Sequence, residues 1–334
     1  MVEKVNVELL LVRKLVEDYL KSKVSEIDEL TGDASSRKYY RFTHANSSFV
    51  ACLGSPFESE DDSDFLKVQK LLSSNEINVP TIYSIKPAEG FFIEEDLGDN
   101  TLVSYLGSEP DDETTDLAYK KVIDTLINMQ SVDVSGSVVE TRSFDEKKFG
   151  DESRMSIDYF LGSYLGASVE DLGDRQFLAE IEKLNKKLAC REGKVFSHRD
   201  LHSRNIMVKD GEYYLIDFQD ARLGLPFYDL VSLLEDCYFP LSDEKRNLLI
   251  RYYVEKSSLF SNISEEEFEY YYDLSAIQRI FKALGSFTFI NETRKDDRYL
   301  KYVGVGVQRL LSILSKYDEF KLFYKILKRS YHEN

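Results

Sequence analysis

Apolar side chains recur at helical spacing over residues 7 to 22, where Leu9, Val12, Leu15, Val16, Tyr19 and Leu20 share one face. This pattern predicts an amphipathic helix. From residue 30 the period shifts towards two. The stretch LTGDASSRKYYRFTHANSSFVACLG holds a Gly-Asp turn, an alternating KYYRF segment, an Asn-Ser-Ser turn and the apolar run FVACL. It predicts two or three antiparallel strands joined by turns. An acidic linker, ESEDDSD, leads into a helix at about 64–74, and VPTIYSI and FFIEEDL read as two more strands. Beyond Gly98 the pattern is almost wholly helical, with helices predicted at about 101–106, 113–131, 144–165, 172–190, 226–237, 243–260, 265–291, 297–316 and 319–329. Residues 194–220 interrupt it. There IMV and YYLIDF read as short strands around DGEY, a hairpin signal. The elements predict an α+β, two-lobed chain: residues 1–97 as an antiparallel-sheet lobe with a packed helix, and 98–334 as a mainly helical lobe.

Composition supports that division. A chain of 334 residues exceeds what one core usually fills. At 43% hydrophobic and 31% charged it is globular rather than disordered. A net charge of −17 argues against a nucleic-acid partner, which would require a surplus of Lys and Arg. The one basic cluster, KLFYKILKRSYH, is read as the solvated face of a helix. Acidic residues break the apolar pattern of the first twenty positions, so no signal-peptide core is expected. No uncharged apolar run is long enough to predict a transmembrane helix, and the cytoplasm is the expected compartment. Cys52, Cys190 and Cys237 form no metal-binding pattern and are expected to be reduced core residues. No feature predicts a protein partner.

The chemistry is concentrated in SHRDLHSRNIMV, residues 197–208, and LIDFQD, residues 215–220. A lone His-x-Asp carries little information. Here Asp200 is followed by Asn205, a predicted hairpin, and then Asp217 at the end of an apolar strand. Phosphoryl transfer requires a carboxylate to orient the attacking hydroxyl and hard oxygen ligands for the cations that bridge the phosphates. Asp200 suits the first task, and Asn205 with Asp217 suits the second. Residues 198–205 also match the kinase pattern H-R-D-L-x-x-x-N. Only eleven residues separate Asp217 from Asp229, and no A-P-E follows, so a docked peptide acceptor is not expected. Asp229 either anchors the catalytic loop or is an ordinary carboxylate of a helix first turn. Asp220 either holds an acceptor hydroxyl or bonds the turn that follows it.

HRDLHSRNIM with IDFQDARLGLPFYDLVSLLED resembles the aminoglycoside phosphotransferase/choline kinase superfamily. More narrowly, LTGDASSRKYYRF, EEDLGDNTL and IQRIFKALGSF with RYLKYV resemble the bacterial N-acetylmuramate/N-acetylglucosamine anomeric kinases. The resemblance spans roughly residues 30–305. It implies a bilobal protein-kinase-like fold using ATP and Mg²⁺, with Asp200 as base, Asn205 and Asp217 as metal ligands, and His198 and Arg199 as supports of the loop. It further implies that Ser35, Ser36 and Arg37 cover the nucleotide phosphates, with Arg41 adding charge. The backbone from Glu94 through Glu95, Asp96 and Leu97 would meet adenine. Gln278, Arg279 and Lys282 would offer donors to an acceptor carboxylate or N-acetyl group.

Alternatives stand beside several of these roles. Arg37 and Arg41 also read as strand charges pairing with neighbours, and QR-x-x-K as a solvated polar stripe. The strand SSFVACLG lacks the lysine of protein kinases, and the metal motif is DFQ rather than DFG. The acceptor implied is the anomeric hydroxyl of an amino sugar. The rival readings are another small-alcohol kinase and a non-catalytic nucleotide-binding module.

Overall fold

The first helical pattern folds as α1 (Val7–Leu20), with Val12, Leu15 and Val16 buried. These side chains share a core with Tyr40, Phe42, Ala51, Phe91 and Ile93 from the sheet that follows. The computed structural model describes residues 7–30, 37–108 and 111–332. The predicted Gly-Asp turn and the candidate phosphate contacts Ser35 and Ser36 lie outside the described residues.

The chain divides into two units, Met1–Asn100 with Met207–Asp220, and Thr101–Ile206 with Ala221–Asn334. In the first unit β1 (Ile27–Leu30), β2 (Lys38–His44), β3 (Ser47–Leu53), β4 (Ile82–Lys86) and β5 (Phe91–Glu95) pair antiparallel in the order β1-β2-β3-β5-β4. β1 has no counterpart in the sequence reading, because its four residues, IDEL, bury only Ile27 fully. The β2–β3 turn falls at Ala45-Asn46, both at positive φ, rather than at the Asn-Ser-Ser predicted. A two-residue turn of that kind matches the twist of the strands. Helix α2 (Asp64–Ser74) is capped by Ser63, whose Oγ accepts the Leu66 N–H.

The hairpin Ile206–Lys209 and Glu212–Leu215 turns at Asp210-Gly211, both at positive φ, where DGEY predicted it. Its segment groups with the first unit because the Val208 N–H donates to the Asn100 carbonyl at 2.7 Å and the Leu215 N–H to the Asn78 carbonyl at 2.9 Å.

The second unit is helical: α3 (Leu102–Gly107), α4 (Asp112–Gln130), α5 (Glu146–Met155), α6 (Val169–Leu172), α7 (Arg175–Cys190), α8 (Pro226–Leu234), α9 (Asp243–Lys256), α10 (Glu265–Arg294), α11 (Val303–Leu314) and α12 (Lys321–His332). The helix expected over 144–165 is α5 followed by a π-helical stretch, Ser156–Tyr164. That stretch runs close to α10 at Gly285, where a Cβ would sit 2.7 Å from the Ser156 Cα, so only glycine fits there. A two-stranded ribbon, Val195–Ser197 against Arg222–Gly224, was too short to leave a pattern. On α12 Phe323, Ile326 and Leu327 are buried while Lys321, Lys325, Lys328 and Arg329 face outward, the solvated face expected. Cys52 and Cys237 are buried, but Cys190 is exposed, contrary to expectation, because it ends α7. Among the described residues no helix is long and apolar enough to cross a membrane.

Candidate active site

Residues 198–205 leave the ribbon of the second unit as an irregular loop whose backbone is held by carboxylates. Asp229, buried in the first turn of α8, accepts the His198 N–H at 2.7 Å and the Arg199 N–H at 3.0 Å. Both readings of Asp229 therefore hold: it is a first-turn carboxylate and it anchors the loop. The anchor matters because Arg199 sits at φ 83, a conformation non-glycine residues adopt only when their surroundings enforce it. The start of α8 is itself braced, since Gln130 Nε2 and the Tyr253 hydroxyl both donate to the Pro226 carbonyl.

A second buried carboxylate, Asp236, accepts the Ser203 N–H at 2.9 Å and the Ser203 hydroxyl, while its other oxygen takes the Tyr238 N–H at 2.8 Å. His198 is fully buried, with Nδ1 accepting the Asp200 N–H at 3.4 Å, which fits a support of the loop. The Asn205 Nδ2 donates to the Asp200 carbonyl at 3.0 Å and so sets the plane of its carboxamide.

Asp200 is the charged centre of the second unit. Lys282 Nζ donates to its Oδ1 at 2.6 Å, Arg279 Nη2 reaches the same oxygen at 3.3 Å, and Arg199 Nε stands 3.7 Å from Oδ2. Burial alone would raise its pKa, but the Lys282, Arg279 and Arg199 charges hold it well below the usual carboxylate range. Arg279 is oriented in turn by the Ser232 hydroxyl, which accepts from its Nε at 2.8 Å. Gln278 donates to Glu152 Oε2 at 2.9 Å, and the other oxygen of this buried carboxylate lies 3.5 Å from Arg199 Nη2. The QR-x-x-K face of α10 is thus buried against Asp200 and Glu152 rather than forming a solvated stripe. His202 is pushed down to about 3 by burial and by the nearby Arg279 charge, so its ring is neutral at ordinary pH.

Glu152, Asp236 and Ser232 were not found from sequence. Glu152 lies in the polar run EKKFGDESRM, which gives no sign that its carboxylate is buried. Asp236 could have been suspected, since an acid two residues after the apolar run of α8 has little water to face.

In the first unit Asp217 is exposed and at positive φ, with Gln219 Nε2 donating to its Oδ1 at 2.7 Å. Phe218 of DFQ is buried and stacks on Phe65, which stacks on Phe92, with both centroid separations 5.0 Å. That stack fixes the side chain that follows Asp217. Asp220 is exposed.

Arg41 is paired: Nη2 donates to Asp96 Oδ1 at 2.9 Å and Nη1 to Asp99 Oδ2 at 3.0 Å. Asp96 also accepts the Ser48 hydroxyl at 2.6 Å and the Gly98 N–H at 2.9 Å, so its side chain is structural. Glu95 accepts from Lys209 Nζ at 2.6 Å, and the same ammonium bonds the Asp96 carbonyl at 3.0 Å, tying the hairpin to the end of β5. The Glu95 N–H goes to the Thr81 carbonyl, and Leu97 is buried. Arg37 lies 5.1 Å above the Phe65 ring. Beside it, burial pushes Glu94 up to about 8, the Arg37 charge opposing and the Asp96 charge adding.

Comparison with known proteins agrees with this geometry. The model of the phosphotransferase enzyme family matches residues 26–259. The chain is 30% identical over 283 residues to the N-acetylmuramate/N-acetylglucosamine kinase of Pseudomonas aeruginosa, covering 83% of this chain and 80% of that one. It is 27% identical over 298 residues to the protein of the same name from Neisseria meningitidis serogroup B, covering 88% and 87%. Among solved structures it resembles the choline kinase LicA of Streptococcus pneumoniae, with TM-score 0.60, 14% identity, and 93% and 99% of the two chains covered. It also resembles the gentamicin-APH(2")-IIa complex, with TM-score 0.61, 14% identity, and 96% and 99% covered. These likenesses establish the protein-kinase-like fold. With HRDLHSRN held on Asp229 and Asp236 and a family match across 26–259, the chain belongs to the phosphotransferase enzyme family and is a kinase.

Proposed function

We propose that the chain transfers the γ-phosphoryl group of ATP to the anomeric hydroxyl of N-acetylmuramate or N-acetylglucosamine, giving the sugar 1-phosphate. The observation that carries the chemistry is Asp200, an ionised carboxylate fixed by Lys282 at 2.6 Å on an anchored loop. The acceptor is supported by the names of the relatives.

Asp200 orients the acceptor hydroxyl through a hydrogen bond and receives its proton as the bond to phosphorus forms. A carboxylate of such low basicity suits a loose transition state, in which positioning outweighs proton abstraction. Arg279 and Lys282 act through Asp200 as positioning residues, and Gln278 steadies the Glu152–Arg199 pair behind it. Asn205 and Asp217 would hold Mg²⁺. Among the described residues no group of three His, Cys, Asp or Glu gathers as a metal cage. A carboxamide with one carboxylate fits a cation that takes its remaining ligands from phosphates and water. When bound, the ion neutralises phosphate charge. Arg37 is the proposed phosphate contact, and the Leu97 backbone the adenine contact. The ATP-rich cytoplasm is the proposed compartment.

The test is a panel of sugars and amino alcohols with ATP and Mg²⁺, the products read by phosphorus NMR. The expected product is a phosphate coupled to an anomeric proton. A phosphate on a primary or secondary alcohol, or no turnover of any sugar, overturns the reading.

A further inference from the structure

With ATP as the proposed phosphoryl donor, and resting on that reading, a contact for its base can be traced on β5. The segment proposed to meet adenine carries three consecutive carboxyl groups, Glu94, Glu95 and Asp96. Two of them are engaged within the fold. Glu95 accepts from Lys209 Nζ at 2.6 Å, and Asp96 accepts from Arg41, the Ser48 hydroxyl and the Gly98 N–H. Glu94 differs. It is only 8% exposed, and its Oε2 is buried with no hydrogen-bond partner among the described residues. A buried carboxyl oxygen left without a donor costs free energy, so its presence calls for an explanation.

The sheet shows where this oxygen sits. β5 lies between β3 and β4, with Glu94 opposite Val50 on one side and Ile82 on the other. Alternation along the strand divides its side chains between two faces. Phe91 and Ile93 join the core shared with α1. Phe92 and Glu94 belong to the other face, where Phe92 stacks on Phe65 and Phe65 on Phe218 of the DFQ motif. Arg37, the proposed phosphate contact, lies over the same Phe65 ring. The register aligns Tyr39, Cys52 and Phe92 across three strands, and the charge of Glu94 is felt at both Tyr39 and Cys52. Glu94 therefore shares a face with Arg37 and the DFQ phenylalanine, three residues before Leu97, the proposed adenine contact.

An apolar wall carrying one convergent polar atom is the kind of surface on which a planar base is held and selected. Burial pushes Glu94 up to about 8, yet a carboxyl has an accepting oxygen whether or not it holds its proton. The matching donor on adenine is its 6-amino group. That group has two N–H bonds, so a backbone carbonyl of the segment and the Glu94 oxygen can each take one.

We propose that Glu94 is a specificity-determining residue for the nucleotide base, its unpartnered Oε2 accepting a hydrogen bond from the 6-amino group of adenine. The test is calorimetric binding, with Mg²⁺ and without sugar, of ADP and of purine ribonucleoside 5′-diphosphate, which has hydrogen in place of the 6-amino group. Wild type is expected to bind ADP about tenfold more tightly than the analogue. Glu94→Leu removes the acceptor and is expected to lower that preference by about threefold or more. Glu94→Gln keeps an accepting carboxamide oxygen and should hold the preference within about twofold of wild type. A wild-type preference near one overturns the contact on its own, so failure of the Leu variant to fold does not shield it. A preference that Glu94→Leu leaves unchanged overturns it too, as does a Gln variant no better than the Leu one. Each of these outcomes leaves the kinase reading in place, because ADP still binds. Wild type that binds neither nucleotide fails the ATP reading itself, and the contact falls with it.

Discussion

The two units use their buried charges in opposite ways. In the second, Lys282 and Arg279 are directed at Asp200, a half-buried carboxylate that they keep ionised. In the first, Arg41 is directed at Asp96 and Asp99, carboxylates that brace the end of β5, while Glu94 is buried and pushed up to about 8. In the proposed mechanism the first arrangement prepares a group to act on a substrate, whereas the second braces the end of a strand. The same ion pair chemistry can therefore mark a site or a scaffold, and only the partners reveal which.

The contrast can be broken at either end. Asp200→Asn keeps the side-chain shape but loses the charge, so kcat is expected to fall by about 10²–10⁴-fold with nucleotide affinity unchanged in a binding titration. Arg41→Gln is expected to do the reverse. Leaving Asp96 short of its partner should lower stability by roughly 1–3 kcal/mol in urea titrations, while the KM for ATP changes less than about threefold. A large rise in that KM would make Arg41 a phosphate contact after all and dissolve the contrast. The smallest effect is at Glu94. Its folded pKa lies above its unfolded one, so the folded state binds the extra proton, and stability falls as pH rises from the ordinary glutamate range to about 8. Glu94→Gln should remove that slope, raising Tm by roughly 2–4 °C at pH 8 and by less at pH 5.

What the sequence made legible follows the same division. Side-chain chemistry on a loop leaves letters behind, and Asp200, Asn205 and Asp217 stand out because their types and order match what phosphoryl transfer requires. The hairpin at Asp210-Gly211 was equally readable, since its turn demands left-handed backbone at both positions. Partners chosen by the tertiary fold leave no such mark. Nothing in EKKFGDESRM says that Glu152 is buried beside Arg199, and nothing in KALG says that Gly285 admits the backbone at Ser156. QR-x-x-K was seen as donors on one helix face, but the carboxylate that Arg279 and Lys282 meet is 79 and 82 residues away in sequence. β1 was missed because an acidic edge strand lacks the alternation that periodicity detects.

The claim on which the rest depends is that Lys282 and Arg279 keep Asp200 ionised and in place. Comparing the pH dependence of kcat/KM in wild type and Lys282→Met tests it directly. Removing the ammonium favours the protonated form of Asp200, so its pKa rises and activity is lost earlier as pH falls. The expected result is an acid limb at least about one pH unit higher than in wild type, with a lower plateau. An unshifted acid limb with an unchanged plateau would contradict the role assigned to Lys282.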